Sequence, residues 1–456
     1  MKSTSFRGLC ALATIVVLGG AAALADNNPP VVSNVTSSQR TDGSGLVDIY
    51  YNLADGDGDA CTVSVQASDD GGASWDVSVQ TVSGHVGAGV SPGNGRHIVW
   101  NCAADLPCAV GMLKVRVLAE DGHSEGGGGM VFVPGGSFEM GDSFDEGYSN
   151  ELPVHTVYLS PYYIDVYEVT NQQYCDGLNW AYAQGGLITV TSGVVYKYNS
   201  GTSYPYCDTT TSSSYSRITW NGSTFGVVAG KENHPMVMVS WYGSVAYANW
   251  RSGMEGKPLC YDLSTWTCNF GSGYRLPTEA EWEKAARGGT PGHRFPWSDQ
   301  DTIQHARCNY RSYWSGGAPY YPYDTSPTEG DHPCWGVSPY PYTSPVGFFD
   351  GSLRYKADFN WPGSPTSYQT ASGANGYGLY DMAGNVWEWC NDWYSSSYYA
   401  SSPGSNPTGP VSGTYRVLRG GCWYNIANLC RVADRGSRYP VLRSGNIGVR
   451  LALDSE

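Results

Sequence analysis

The stretch GYGLYDMAGNVWEWCNDWY, from Gly376 to Tyr394, decides the fold together with two motifs that follow it. These motifs read YRVLRGGCWYNIANLCRVADR from Tyr415 to Arg435 and GNIGVRL from Gly445 to Leu451. Glycine permits tight backbone paths, and the tryptophans beside it supply packing area. Neither a helical period nor a strand alternation runs through them. The sequence therefore predicts a region held by turns, loop packing and a bound ion.

The composition indicates a globular chain of more than one domain. Its 456 residues are too many for one ordinary core, so two or more domains are expected. With 59 Gly, 35 Tyr and 16 Trp, and only 15% charged residues, the chain is typical of a loop-rich protein with mainly β-structure. This composition excludes disordered and coiled-coil classes.

Residues 1–25 have the features of a secretory signal peptide. Lys2 and Arg7 form a positive start, residues 12–18 are apolar, and Ala23-Leu24-Ala25 matches a small-x-small cleavage site. The apolar run is too short for a membrane anchor, and we expect no transmembrane segment in the mature chain. The sequence predicts a secreted, periplasmic or cell-surface protein.

The mature chain is strongly acidic. Removal of Lys2 and Arg7 with the signal takes the net charge from −15 to −15 − 2 = −17. Such acidity disfavours nucleic acid and anionic membranes as partners. It suits a protein that binds cations.

Disulfides are expected from the cysteine count. Of 13 cysteines, Cys10 leaves with the signal, and an even number remains in an exported chain. Cys260 with Cys268 and Cys102 with Cys108 are close enough in sequence to close local loops. The other pairings stay open.

Residues 26–120 predict a separate β-sandwich module. Short β-type runs at 46–51, 61–66, 75–82, 97–100 and 113–118 alternate with turn clusters, as in immunoglobulin or fibronectin type III domains. The acidic turn with Asp55, Asp57 and Asp59 is either a calcium site or a solvated turn. Residues 121–129 form a Gly-rich linker. We expect this module to space or dock the rest of the chain.

Residues 130–456 form the second predicted domain. Its clearest helix follows Thr278, which pairs with Glu281 in a capping box, and ends at Gly288. A second helix is expected after Ser240. Residues 183–230 are predicted to be an insertion loop, and residues 304–373 long surface loops.

The second domain resembles the formylglycine-generating enzyme family, also called sulfatase-modifying factors. Seven motifs in register carry the resemblance over about residues 130–452: VPGGSFEMGD (133–142), EVTNQQY (168–174), HPMVMVSW (234–241), YRLPTEAEWEKAARGG (274–289), GYGLYDMAGNVWEW (376–389), RVLRGGCW (416–423) and GNIGVR (445–450). The resemblance implies an α+β fold of the irregular, C-type-lectin-like kind found in that family. It also implies copper-dependent oxidation of a sulfatase cysteine to formylglycine.

One position departs from the catalytic pattern that the resemblance implies. The resemblance implies a copper site made of two cysteines five positions apart, shortly after an RGGS motif. Soft thiolates are suitable ligands for Cu(I). Here Cys430 matches the second cysteine, Asn425 stands at the first, and Cys422 replaces the serine. An amide is a poor Cu(I) ligand. Cys422 and Cys430 either act together at an altered spacing, form a disulfide, or pack as core thiols.

The resemblance also implies calcium sites. Asp381 and Glu388 would supply carboxylates, and Gly384 and Val386 backbone carbonyls, which are hard ligands that suit Ca²⁺. The alternative for the carboxylates is a salt bridge to Arg419 or Arg450. A second family site would begin at Asn309 and Tyr310, with its remaining ligands in a region too divergent to align.

Two functions follow from these expectations. The first is an exported, non-catalytic binding module that presents aromatic loops at 310–323 and 389–399 to a peptide, protein or glycan, since Tyr and Trp give rigid contact area. The second is a copper-dependent oxidase that acts on a sulfatase cysteine. Most C-terminal arginines, and His234, are expected to have structural roles.

Overall fold

A computed structural model of the chain describes residues 30–55, 60–68, 77, 79–106, 113–120 and 129–455. The chain divides into two compact units, Met1–Glu125 and Gly126–Glu456. The predicted signal peptide, Asp57, Asp59 and Cys108 lie outside the described residues, as does all of the predicted linker except Gly129. Within the described ranges, no helix combines the length and apolar character needed to cross a membrane.

The N-terminal unit contains two antiparallel sheets with strand orders β1-β2-β6-β4 and β5-β3-β7. Ile49, Tyr51 and Leu53 alternate with more exposed residues along β2, and their buried face packs with Val63 and Trp100 in one core. The likeness to immunoglobulin or fibronectin domains stays a prediction. The described elements are β1 Val31–Gln39, β2 Leu46–Ala54, β3 Cys61–Ser68, β4 Val82–Gly84, β5 Gly87–Val90, β6 Gly93–Asn101, the short helix α1 Cys102–Asp105, and β7 Lys114–Glu120.

Four further α-helices lie among the described residues of the C-terminal unit: α2 Asn171–Gln184, α3 Trp241–Met254, α4 Glu279–Arg287 and the short α5 Lys356–Phe359. The predicted capping box of α4 is confirmed, because the Thr278 hydroxyl accepts from the Glu281 N–H and the Glu281 carboxylate accepts from the Thr278 N–H. Gly288 ends α4 with φ +57°, in the left-handed region that glycine tolerates. The helix predicted after Ser240 is also confirmed as α3.

Strands of this unit are short and form several small sheets. They are β8 Met130–Val133, β9 Gly136–Met140, β10 His155–Leu159, β11 Tyr162–Asp165, β12 Ile188–Thr191, β13 Val194–Lys197, β14 Pro205–Asp208, β15 Ile218–Trp220, β16 Phe225–Val227, β17 Tyr261–Asp262, β18 Thr267–Cys268, β19 Tyr274–Arg275, β20 Trp314–Ser315, β21 Ala318–Pro319, β22 Leu353–Tyr355, β23 Ser367–Gln369, β24 Trp387–Trp393, β25 Arg416–Arg419, β26 Gly436–Arg438, β27 Ile447–Gly448 and β28 Ala452–Asp454. The insertion loop predicted at residues 183–230 is wrong in part, since β12, β13 and β14 form a sheet and β15 and β16 a hairpin.

The three C-terminal motifs meet in one sheet of order β26-β25-β24-β27. Glu388 on β24 lies opposite Arg419 on β25, and Trp387 lies beside Ile447 of the parallel β27. The absence of an alternating pattern is confirmed, but the motifs contain the short strands β24, β25 and β27, which the sequence pattern did not predict. Because nearly every residue of β24 is buried, the strand shows no alternation of apolar and polar residues.

Candidate functional site

The turn after β25 brings Cys422 and Asn425 together. Gly420 and Gly421 have φ of +95° and +77°, values that residues other than glycine rarely adopt. These two glycines form the turn directly before Cys422. The Cys422 thiol donates a hydrogen bond to Asn425 Oδ1 at 2.8 Å, and Asn446 Nδ2 donates to Cys422 Sγ at 3.5 Å. The Asn425 amide therefore engages the thiol instead of providing a second sulfur.

Cys422 and Cys430 are both fully buried and both carry free thiols. Burial raises the pKa of Cys422 to about 12, so its thiol stays protonated at neutral pH. The Cys430 thiol packs in a separate cluster that contains Cys308. These residues do not fit the two-thiolate copper centre that the resemblance implies, because an amide stands at the first cysteine position and both thiols are fully buried.

The disulfides expected between neighbouring cysteines are absent where the structure describes both partners. Cys260 and Cys268 are free thiols, with Cys260 Sγ donating to Gly273 O at 3.1 Å. Cys102 is also a free thiol, and its expected partner Cys108 lies outside the described residues. The disulfides that were expected to close these two local loops are therefore not formed by Cys260, Cys268 or Cys102 in this structure.

A buried carboxylate cluster forms where the calcium loop was predicted. Glu388 accepts from Arg450, with Nη2 2.8 Å from Oε1, and from Trp282 Nε1 at 2.6 Å. Asp381 Oδ2 accepts from the Gly347 N–H at 2.7 Å. The salt bridge to Arg450, weighed from sequence as the alternative for Glu388, is therefore present.

Glu168 is a third carboxylate of this cluster, and the sequence had not assigned it a role. It accepts from Asn385 Nδ2 at 2.7 Å and from the Val386 N–H at 3.2 Å. Burial, and then the neighbouring Asp381 and Glu388, raise the pKa of Glu168 well above its usual range. Burial also raises the pKa of Asp381 to about 6. Three carboxylates face one guanidinium, and this excess of negative charge fits a bound cation.

Backbone groups would have to complete such a cation site. Within the described ranges, no three His, Cys, Asp or Glu side chains converge closely enough to hold a metal ion by themselves. The loop bends sharply at Asp381, Gly384 and Asn385, all with positive φ. Carbonyl oxygens of Gly384 and Val386 are the ligands that the sequence resemblance supplies beside Asp381. Glu388 is the least available of the predicted ligands, because Arg450 and Trp282 engage both of its oxygens.

The second predicted calcium position also has an unsatisfied polar atom. Asn309 is buried, and its Oδ1 has no hydrogen-bond partner among the described residues. The Tyr310 hydroxyl donates to Asp324 Oδ1 at 2.5 Å and lies 2.7 Å from Ser326 Oγ. Asp324 is thus a further candidate beside Tyr310. Its position in an irregular loop gave no sequence signal.

Most of the C-terminal arginines form buried ion pairs, as predicted. Each of the following binds a carboxylate of a distant segment: Arg419 with Glu283, Arg431 with Glu151, Arg435 with Glu279 and Arg450 with Glu388. His234 is buried and lies 2.9 Å from Thr343 Oγ1 through its Nδ1, which supports its structural role.

Five aromatic residues surround the Asn425 turn, and we call them the aromatic face: Tyr215, Tyr340, Tyr342, Trp423 and Tyr424. Tyr340 stacks on Tyr342 with ring centroids 4.3 Å apart, and it lies 5.4 Å from Trp423. Hydrogen bonds from Trp423 Nε1 to Gly445 O and from Asn446 Nδ2 to the Tyr424 hydroxyl fix the arrangement at 3.1 Å each. Tyr340 and Tyr424 remain 47% and 42% exposed.

The aromatic loops predicted from sequence are only partly exposed. Tyr313 and Tyr320, within the predicted 310–323 loop, are exposed, whereas Tyr310 is buried. The prediction of a presented aromatic loop at 389–399 is wrong in part. Trp389 in β24 and Tyr399 in a short 3₁₀ helix are buried, whereas Trp393, Tyr394 and Tyr398 are half-buried. The sequence did not predict that Tyr215 and Tyr340 belong to this surface, because the two residues come together only in the folded chain.

Comparisons with known proteins agree with the family resemblance. Residues 116–455 match the family model described as "Sulfatase-modifying factor enzyme 1-like domain". The formylglycine-generating enzyme of Streptomyces coelicolor is 36% identical over 344 residues, covering 72% of this chain and 90% of that protein. The enzyme of the same name from Thermomonospora curvata is 34% identical, covering 72% and 93%.

Other relatives are more distant. The "Inactive C-alpha-formylglycine-generating enzyme 2" of Bos taurus is 29% identical over 345 residues, covering 71% of this chain and 87% of that protein. Among solved structures, "Treponema denticola variable protein 1" is similar over 72% of this chain and 95% of its own, at 24% identity and a TM-score of 0.42. The family model and the bacterial relatives together show that this chain belongs to the sulfatase-modifying factor family, which includes the formylglycine-generating enzymes.

Proposed function

We propose that this chain is an exported, non-catalytic member of its family that binds a peptide segment of a protein partner on the aromatic face. The hydrogen bond from the Cys422 thiol to Asn425 Oδ1 carries the proposal. At the position of the first family cysteine stands an amide, and the thiol nearest to it is protonated and buried. Asn425 and Cys422 together offer one sulfur atom, so these two side chains cannot form a two-thiolate metal centre.

The aromatic face supports binding. Three tyrosines are exposed there, at residues 215, 340 and 424, above the largely buried rings of Tyr342 and Trp423. Tyrosine offers apolar area and a hydroxyl at low entropic cost, which is typical of recognition surfaces. The family model is named for the modification of sulfatases, which are proteins, so a polypeptide is the ligand class that we infer for this face.

We propose calcium as the cation of the buried carboxylate cluster. Asp381 and Glu168 would hold it with backbone carbonyl oxygens of the loop, since oxygen ligands of mixed type suit this ion. When bound, calcium supplies positive charge that offsets the carboxylates. It has a structural role here, because the cluster is buried and Glu388 is engaged by Arg450.

The catalytic alternative is tested first. Copper-loaded wild-type protein is incubated with a peptide that contains the sequence CxPxR, and oxygen uptake and peptide mass are followed. We expect no change in either. Conversion of the peptide cysteine by the wild-type protein would overturn the non-catalytic assignment.

Binding is tested with a phage-displayed library of random peptides panned on the full chain. We expect selected peptides to lose about tenfold or more in affinity when Tyr340→Ala and Tyr424→Ala are combined, because central tyrosines commonly contribute more than 1 kcal/mol each. Tyr158→Ala is the matched control, since Tyr158 is 45% exposed outside the aromatic face. Binding to a glycan array with no peptide selected, or equal losses in control and double variant, would contradict the peptide assignment.

A further inference from the structure

Two thiols from distant parts of the chain lie side by side in the C-terminal unit. Cys308 precedes Asn309, and Cys430 ends the 3₁₀ helix Ala427–Cys430. Both side chains are buried in one cluster, with Ala383 and Ala427 among its members. Cys430 is a neighbour that acts on the Cys308 side chain within this cluster, and Cys308 Sγ donates to Ala383 O at 2.9 Å.

Two glycines make the space for these sulfur atoms. A β-carbon at Gly384 would lie 2.6 Å from Cys308 Sγ, and one at Gly421 would lie 2.9 Å from Cys430 Sγ. Both distances are far below ordinary contact, so any side chain there would displace a thiol. The Gly384 N–H donates to Gly420 O at 2.8 Å and ties the two loops together around the pair.

We infer that Cys308 and Cys430 are a redox pair, which forms a disulfide when the chain folds in an oxidising medium. Each sulfur loses its proton, one S–S bond forms, and the two electrons reduce a small-molecule disulfide to two thiols. Once the chain is folded, both sulfurs are enclosed by protein. Because an oxidant must reach the thiols, oxidation takes place during folding or after local opening.

This assignment excludes the pairing of Cys430 with Cys422 that the sequence had left open. Cys422 is held by Asn425 and Asn446 through hydrogen bonds to its sulfur. The Cys308–Cys430 bond would close a long loop that includes the irregular segment 309–373. Cross-links that close long loops restrict the unfolded chain most, so we expect the oxidised protein to be more stable.

The test is to refold the full chain in a glutathione redox buffer, digest it without reduction and identify linked peptides by mass spectrometry. We expect a peptide that joins Cys308 to Cys430, and a fall of several degrees in the melting temperature when reductant is added. Cys308→Ala should abolish the linked peptide and the reductant effect. Cys422→Ala and Cys390→Ala, which change other fully buried cysteines, should retain both.

A linked peptide that joins Cys422 to Cys430, or a free Cys308 after refolding, would overturn the inference. If Cys308→Ala does not fold, peptide mapping of the wild-type protein still decides the outcome. The result is independent of the aromatic face, since both sulfurs lie in the core.

Discussion

Arg419 Nη2 lies 2.5 Å from Glu283 Oε2, and both side chains are completely enclosed by protein. The same guanidinium donates to the carbonyl oxygens of Val432, Ala433 and Asp434. Glu283 belongs to α4, whereas the carbonyls belong to the segment after Cys430. The Arg419 side chain of β25 therefore connects helix α4 to the chain segment that follows Cys430.

Removal of Arg419 should be severely destabilising. Arg419→Met leaves buried carbonyl groups without this donor and Glu283 with Arg287 as its remaining ion-pair partner among the described residues, and loss of one partner of a buried ion pair costs about 3–5 kcal/mol. Urea unfolding followed by tryptophan fluorescence measures the change. Arg294→Met is the control, because its ion pairs with Glu146 and Asp301 are partly exposed and should each contribute about 1 kcal/mol or less. Equal losses of unfolding free energy in the two variants would contradict the expectation that a buried ion pair costs more to break than an exposed one.

The cap of α4 gives a smaller and more local effect. Thr278→Ala removes the side-chain acceptor of the Glu281 N–H and should cost about 1 kcal/mol. Thr278→Ser keeps the acceptor and should stay within a few tenths of the wild-type value. Chemical denaturation distinguishes the two. A serine variant as unstable as the alanine variant would show that the methyl group, rather than the cap, matters.

These two interactions differ in how far they could be predicted from sequence. The α4 cap was predicted because Thr278, Glu281 and Gly288 lie within a few turns of one another. The Arg419–Glu283 pair could not be predicted as such, because its partners are 136 residues apart. Residues close in sequence therefore sufficed to predict helix α4, whereas its ion pair with Arg419 depends on the folding of distant segments.

The site shows the same division. Asn425, Asp381 and Glu388 were identified because they lie in dense motifs. Glu168, Asp324, Cys308 and Tyr340 were missed, since each reaches its neighbours only through contacts between distant segments. Strand β24 was missed because burial on both faces removes the alternation that marks a half-exposed strand.

Asp434 should make the stability of the C-terminal unit dependent on pH. Burial, and then Glu151, raise the pKa of its carboxyl to about 8 in the folded protein. The unfolded chain loses this proton near the ordinary value of about 4. The folded state therefore holds an extra proton between these values, so the contribution of Asp434 is fully present below about pH 4 and declines as pH rises to about 8.

Asp434→Asn removes this titration. We expect the variant to gain stability relative to the wild type at pH 8 and to gain much less at pH 5, as measured by urea midpoints at both values. Asp145→Asn changes an exposed carboxyl and should leave the pH dependence unaltered. Parallel pH profiles for wild type and Asp434→Asn would contradict the assignment.

Calcium should stabilise the wild-type protein through Asp381. At a calcium concentration 100 times the dissociation constant, the gain is about 2.7 kcal/mol. Differential scanning fluorimetry with calcium and with chelator should show a higher melting temperature in calcium. Asp381→Asn should abolish the difference, while Asp145→Asn should preserve it. Identical melting of the wild type in both conditions would exclude the ion.

The position of β28 bears on how the protein is made. This strand pairs with β11 and β19, and β27 pairs with β24, so segments that are synthesised late complete two sheets begun earlier. A ribosome must release Asp454 before the sheet that contains β11 and β19 can close. Since pairings between such distant segments form slowly, the nascent polypeptide should remain sensitive to proteases and dependent on chaperones until synthesis passes that residue.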